Sequence, residues 1–158
     1  MTNPPIHRPA LTTALFDFLV AGTGVLLGRG IAPPGGGWPQ GNSRNGPWVD
    51  YAVLKTGQAV TPSPGLPERI GRVRTSWQVS YQITSHSTAE SLSDILAQTL
   101  RAVVVTWDGD LTLDGVGWTL EEVDVPTLGP PERDDSTDPA HWRVTDAVSV
   151  RLSRDRTR

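Results

Sequence analysis

Between Arg72 and Thr84 the side chains alternate in character. Val73, Thr75, Trp77, Val79, Tyr81 and Ile83 hold the odd positions, and Arg72, Arg74, Ser76, Gln78, Ser80 and Gln82 the even ones. A period of two places the sets on opposite sides of a pleated strand. One buried and one wet side is the signature of an antiparallel sheet with a solvated face. Downstream the period becomes helical: Leu92, Ile95, Leu96, Leu100 and Val103 recur at three and four residues and predict a helix over 88–104. Ser87-Thr88-Ala89-Glu90, between the two, reads as a capping box. In it the Ser87 hydroxyl accepts from the Glu90 amide and the Glu90 carboxylate reaches back to the Ser87 amide.

The rest of the chain divides on the same criteria. Residues 10–21 predict a first helix with Pro9 at its start, an apolar stripe of Leu11, Ala14, Leu15, Phe18 and Leu19, and a stop at Gly22 and Gly24. Residues 48–56 alternate Trp48 and Asp50 against Val49, Tyr51 and Val53, a strand. After Asp108-Gly109, residues 111–125 predict one or two strands, with a tight turn at Asp114-Gly115 and a bulge where the phase slips between Leu120 and Val123. Residues 141–152 form the last strand, with Trp142, Val144, Val148, Val150 and Leu152 on one face. Segments 28–47, 57–71 and 126–140 are Gly-, Pro- or Asp-rich, aperiodic, and predict long loops. Residues 1–8 and 153–158 are expected to be mobile ends. The order predicts a single α+β domain over 1–158, with a mostly antiparallel sheet of four to five strands and two helices packed on one face.

Charge adds an asymmetry to this outline. The formal net charge is −3, yet residues 108–138 carry ten acidic side chains against Arg133 alone, while the segments before and after are each mildly basic. Opposite patches of this kind favour association between copies. No broad basic surface points to nucleic-acid readout. The chain has no cysteine, which excludes disulfides and thiolate chemistry. No apolar run reaches the length of a membrane helix, and no basic stretch leads into a signal-peptide core, so the chain is expected to stay where it is made.

Candidate chemistry thins out on inspection. Gly22 to Gly28 follows a helix where a dinucleotide fingerprint needs a strand, and Gly41 to Pro47 has proline where a phosphate loop needs lysine. His7, His86 and His141 lack ligand spacing along the chain, so no metal site or cofactor is expected. Ser85-His86-Ser87 offers neighbours that point apart, and the acid pairs Glu121-Glu122 and Asp134-Asp135 face opposite ways or lie in a loop. No catalytic residue is expected. Of the six tryptophans, Trp77, Trp118 and Trp142 fall on apolar strand faces. Trp38 and Trp48 lie in or beside the Gly/Pro loop, where a ring either folds back on its own domain or is buried by a partner.

An N-terminal amphipathic helix, a "WVDYAVL" strand, a Gly/Pro-rich connection, then "RVRTSWQVSYQITSHSTAESLSDILAQTLRAVV" and a strand pair with an acidic insertion make up nearly the whole chain. In element order this resembles the tail terminator proteins of long-tailed, siphovirus-like phages, and residues 72–104 carry most of the likeness. The resemblance implies a non-enzymatic virion protein, assembled in the host cytoplasm into a ring that is usually hexameric. Such a ring sits at the head–tail junction, caps the tail tube protein, stops its polymerisation and meets the head-completion or neck protein. DNA would pass through the lumen without specific binding. In such a ring the acidic block leads to the expectation that side chains among Glu132, Asp134, Asp135 and Asp138 point into the lumen or across a subunit boundary, and that the strand 72–84, with Arg72 and Arg74, and the 28–47 loop contribute to subunit contacts. Other readings of the same chain are another neck or minor tail protein, a small hydrolase or nucleotide-binding enzyme, and a monomeric adaptor.

Overall fold

The computed structural model describes residues 5–57, 61–62 and 72–157, leaving aside the side chains of 61–62, 72–74 and 155–157. The elements run α1 (Arg8–Thr23), β1 (Leu26–Arg29), β2 (Tyr51–Thr56), β3 (Thr61–Pro62), β4 (Arg72–Ser87), α2 (Glu90–Val104), β5 (Gly109–Leu113), β6 (Val116–Thr127), β7 (Glu132–Asp134) and β8 (His141–Thr157). The class is α+β. The sheet is larger than expected and mixed: its main path is β1-β2-β4-β8-β6-β5, with β3 added on β4 and β7 on β8. β1 runs parallel to β2, and the other pairings between these described strands are antiparallel. The additional strands are short: β3 and β7 lie inside segments that composition marks as loops, and β1 starts just before the 28–47 segment and runs into it. "LLGR" is too brief to show a period, and β3 and β7 have two and three residues. Of the 57–71 connection, residues 58–60 and 63–71 lie outside the described set.

The centre of the sheet is the β4–β8 ladder, unbroken from Arg72↔Thr157 to Ser87↔Trp142. β8 therefore extends beyond Leu152, where the apolar alternation ends. The odd positions Val79, Tyr81 and Ile83 of β4 are buried, as the alternation predicts. With Val148, Val150 and Leu152 of β8 they form one cluster with Leu11, Leu15 and Leu19 of α1 and Leu100 and Val104 of α2. Both helices thus cover the same side of the sheet. A two-residue turn joins β5 to β6, with Asp114 at φ 52° and Gly115 at φ 78°, the doubly positive pattern of a type I′ turn. The expected bulge is present as a register shift between Leu120 and Glu122.

Helix ends differ from the expectation in instructive ways. His7 caps α1, its Nδ1 accepting from the Ala10 amide at 3.2 Å. Gly24 ends the helix in the left-handed region, at φ 67°. Gly22 lies within α1, and a Cβ there would come 2.7 Å from Val103 Cγ1, so its smallness serves the helix–helix contact. The capping box does not form. β4 continues through Ser87, Ala89 is the N-cap, and the Ser87 hydroxyl donates to Asp50 Oδ1 at 2.9 Å. The strand's ladder partners outcompete a local cap.

α2 also turns a different stripe inward. Its buried residues are Ser93, Ala97, Leu100 and Val104, while Leu92 and Ile95 are exposed at 45% and 57%. The apolar arc is wider than the sheet can cover, and the surplus faces outward.

A buried polar contact ties α1 to the central strand. Thr12 Oγ1 donates to the Arg8 carbonyl at 2.9 Å, so the 3.0 Å bond to Tyr81 is donated by the buried tyrosine hydroxyl. Tyr81→Phe removes that donor but leaves Thr12 its own partner. The expected loss is about 1 kcal/mol, read by chemical denaturation. A loss above about 3 kcal/mol would show that the hydroxyl has a larger structural role.

Candidate functional site

The side of the sheet away from the helices carries the even positions of β4 and the odd positions of β8. At one end it gathers aromatic and histidine rings. Register does this: Tyr51 pairs with His86 across β2–β4, His86 with Arg143 across β4–β8, and Asp134 with His141 across β7–β8. Four strands thereby bring residues from distant parts of the chain to one place.

The rings stack in sequence. Tyr51 lies on His86 at 4.4 Å between centroids and 8° between planes. Trp48 packs on His141 at 4.9 Å and on Trp38 edge-on at 5.3 Å. The 28–47 loop supplies the cover. Gly36 sits on the Tyr51 ring, where a Cβ would meet it at 3.0 Å, and the Trp38 indole donates to the Pro139 carbonyl at 3.1 Å. A Gly37↔Val49 bridge and an Asn42↔Asp138 bridge hold the loop down. Trp38 and Trp48 are each partly buried against their own domain.

Beneath the rings lies a polar chain. His86 Nδ1 and His141 Nε2 are 2.9 Å apart, and His141 Nε2 is 3.4 Å from Asp134 Oδ2. His141 is 1% exposed and His86 9%. Thr137 fixes the tautomer. Its hydroxyl donates to the Pro139 carbonyl at 2.9 Å, so its oxygen accepts from His141 Nδ1–H at 2.8 Å, and His141 Nε2 carries the lone pair. The proton between the rings therefore sits on His86 Nδ1.

Burial, then the charge of His141, holds the His86 pKa down at about 4. Burial also lowers that of His141, against the pull of Asp134. Asp134 is pushed up by burial, but hydrogen bonds from Ser136 and the charges of His141 and Arg143 bring it below the usual carboxylate value. Burial, followed by the Asp134 charge, raises Tyr51. Both imidazoles are thus neutral near pH 7, and the carboxylate is ionised. The ligand atoms of His86, Asp134 and His141 all lie within 4.8 Å of one another.

The residues singled out from sequence fall around this cluster rather than in one array. Asp134 points inward, its side chain 13% exposed beside His141 and Arg143. Glu132, Asp135 and Asp138 are exposed, and each has a cation nearby: Arg143 at 3.7 Å, Arg133 at 2.8 Å and Arg44 at 4.0 Å. Arg72 and Arg74 occupy the outer end of β4, with side chains outside the described set. Spacing along the chain gave no sign of the histidine pair. The available signal was phase: His86 shares the polar side of its strand with Gln82 and Ser80, and His141 that of its strand with Arg143.

A second feature lies at the opposite surface. Ile95, Val105 and Leu128 are 57%, 49% and 59% exposed, and with Ala102 and Val125 they line a shallow apolar groove between α2 and the end of β6. Among the described residues no helix is long and apolar enough to cross a membrane. No protein-family model matches the chain, and no curated protein matches it.

Proposed function

We propose that the chain is a structural subunit of a phage head–tail junction, a tail terminator that self-associates into a ring, hexameric by the resemblance, and caps the tail tube. The observation that carries the reading is the apolar groove of Ile95, Val105 and Leu128. Contiguous exposed apolar surface of this kind marks an interaction site. On a chain that forms closed rings by head-to-tail contacts, each copy needs two different patches. The groove is suited to be one of them. The exposed acidic side chains of Glu132, Asp135 and Asp138, on another part of the molecule, are suited to the second patch or to the lumen. Phosphates repelled by such a lumen release no counterions and slide without binding.

The mechanism is geometric. A ring with one face complementary to the tube and the other complementary to the neck occupies the growing end and excludes the next tube subunit. The chain acts here without catalysis, in the virion, with itself, the tail tube protein and the neck protein as partners.

Particles that lack this protein should show over-long tails, or tails that fail to join heads, by electron microscopy. Normal particles would end the proposal. Complementation with Ile95→Asp/Leu128→Asp should fail although the variant keeps the wild-type melting temperature, because both positions are already solvated in the monomer. Restoration of normal particles by that variant would remove the groove from the ring contact.

A further inference from the structure

The geometry points to a divalent transition-metal site of the zinc class, formed by His86 Nδ1, His141 Nε2 and Asp134 Oδ2. Two imidazoles and a carboxylate are a common three-ligand set for such an ion, with water or another small ligand completing a tetrahedron. Bonds of about 2.0–2.1 Å in that geometry place ligand atoms about 3.3 Å apart. The observed 2.9 Å and 3.4 Å separations lie within a few tenths of an ångström of this, and the third, between His86 and Asp134, is within 4.8 Å and closes by up to about 1.5 Å when an ion binds.

Three further observations support the assignment. The ligands come from β4, β7 and β8, strands already fixed by their ladders, so the site is formed before an ion arrives. Thr137 holds the His141 ring with its Nε2 lone pair turned toward His86, the outer hydrogen bond that ligating histidines use. Both imidazoles are buried, and in the absence of an ion they can satisfy each other only through a single shared proton. On binding, His86 takes the alternative tautomer: the Nδ1 proton leaves to solvent and Nε2 gains one, so no net proton is released. Arg143 is the opposing charge, 3.7 Å from Asp134 Oδ2. Glu132, also 3.7 Å from its guanidinium, offsets it.

The chemical role is a crosslink. An ion here ties β7, and through Pro139 and Trp38 the 28–47 loop, to the central strands. It acts independently of the ring reading, since the site lies within one copy.

The test is titration of the chelator-treated full-length chain with cobalt(II), then zinc(II). Cobalt should bind one per chain with the intense visible bands of four-coordinate geometry, zinc should displace it, and zinc should raise the melting temperature. Asp134→Asn and His86→Gln should each weaken binding at least about tenfold, and Thr137→Val by about 10- to 100-fold. His7→Ala, at the cap of α1, should leave cobalt and zinc binding unchanged. Where a ligand variant fails to fold, the wild-type cobalt spectrum decides alone. Absence of four-coordinate bands, or binding unaffected by changes to the ligands in folded variants, overturns the site and leaves the cluster a hydrogen-bonded polar core.

Discussion

Asp146→Ala is expected to destabilise the fold by about 3 kcal/mol. Asp146 is 3% exposed and lies on β8 under α2. It accepts from Arg101 Nε at 2.6 Å and Nη2 at 2.9 Å, and from the Gly129 amide at 3.0 Å. The pair joins the second helix to the central strand and anchors the segment leading to β7. Removing one member of a buried pair strands the other's charge, a loss of about 3–5 kcal/mol. Arg101, 18% exposed, can turn partly toward water, which favours the lower end. For a chain of this size each kcal/mol moves the melting temperature by about 2–4 °C, so the variant should melt roughly 10 °C lower. The double change Arg101→Met/Asp146→Leu should recover most of the loss, because a packed apolar pair avoids the desolvation of both charges. A single variant that melts within a degree or two of wild type would show that the pair is solvated in solution.

The second large effect is on pH. In the metal-free protein, stability is expected to fall by about 3 kcal/mol as the pH drops from 6.5 to 4. In the unfolded chain His86 titrates at its ordinary 6.5, and in the fold at about 4. Between these values the unfolded state binds a proton that the native state refuses, so protonation favours unfolding. The contribution is whole above the unfolded pKa and lost as the pH falls through the folded one. Each unit of difference corresponds to about 1.4 kcal/mol. The groups facing His86 are His141, Asp134, Arg143 and Lys55, with the Tyr51 ring stacked above it. Of these only Asp134 favours the imidazolium, and His141 is depressed in the same direction. Chemical denaturation with EDTA present, at pH values from about 7 to 4, measures the slope. His86→Gln should flatten it, and an unchanged slope in that variant would assign the effect to His141 or to carboxylates.

How far the sequence disclosed this molecule depended on the range of the interaction. Patterns of period two and the Asp114-Gly115 turn are decided within a few residues, and the central strands and the β5–β6 hairpin followed from them. The parallel strand β1 did not, because Leu26–Arg29 is a strand only by virtue of lying beside β2. The inward stripe of α2 was misjudged for a related reason. The helix has more apolar positions than the core accepts, and only packing against β4 and β8 selects Ser93 and Ala97 over Leu92 and Ile95. The capping box was a sound local motif defeated by a strand that runs on to Ser87. The histidine cluster was the most hidden feature. Its members meet through three separate strand pairings, and rules based on ligand spacing along one element cannot see across a ladder.

The pairing of β4 with β8 has a consequence for biosynthesis. Its two strands are separated by the whole of α2 and the β5–β7 region, so each ladder bond closes a loop of roughly 55 to 85 residues. Distant pairings of this kind slow the search for the native state. They also dictate its timing: as the ribosome delivers the chain, β4 emerges early and must wait, its β8-facing edge unpaired, until residues 141–157 follow. A nascent chain stalled before that point exposes the centre of the sheet to any other strand it meets.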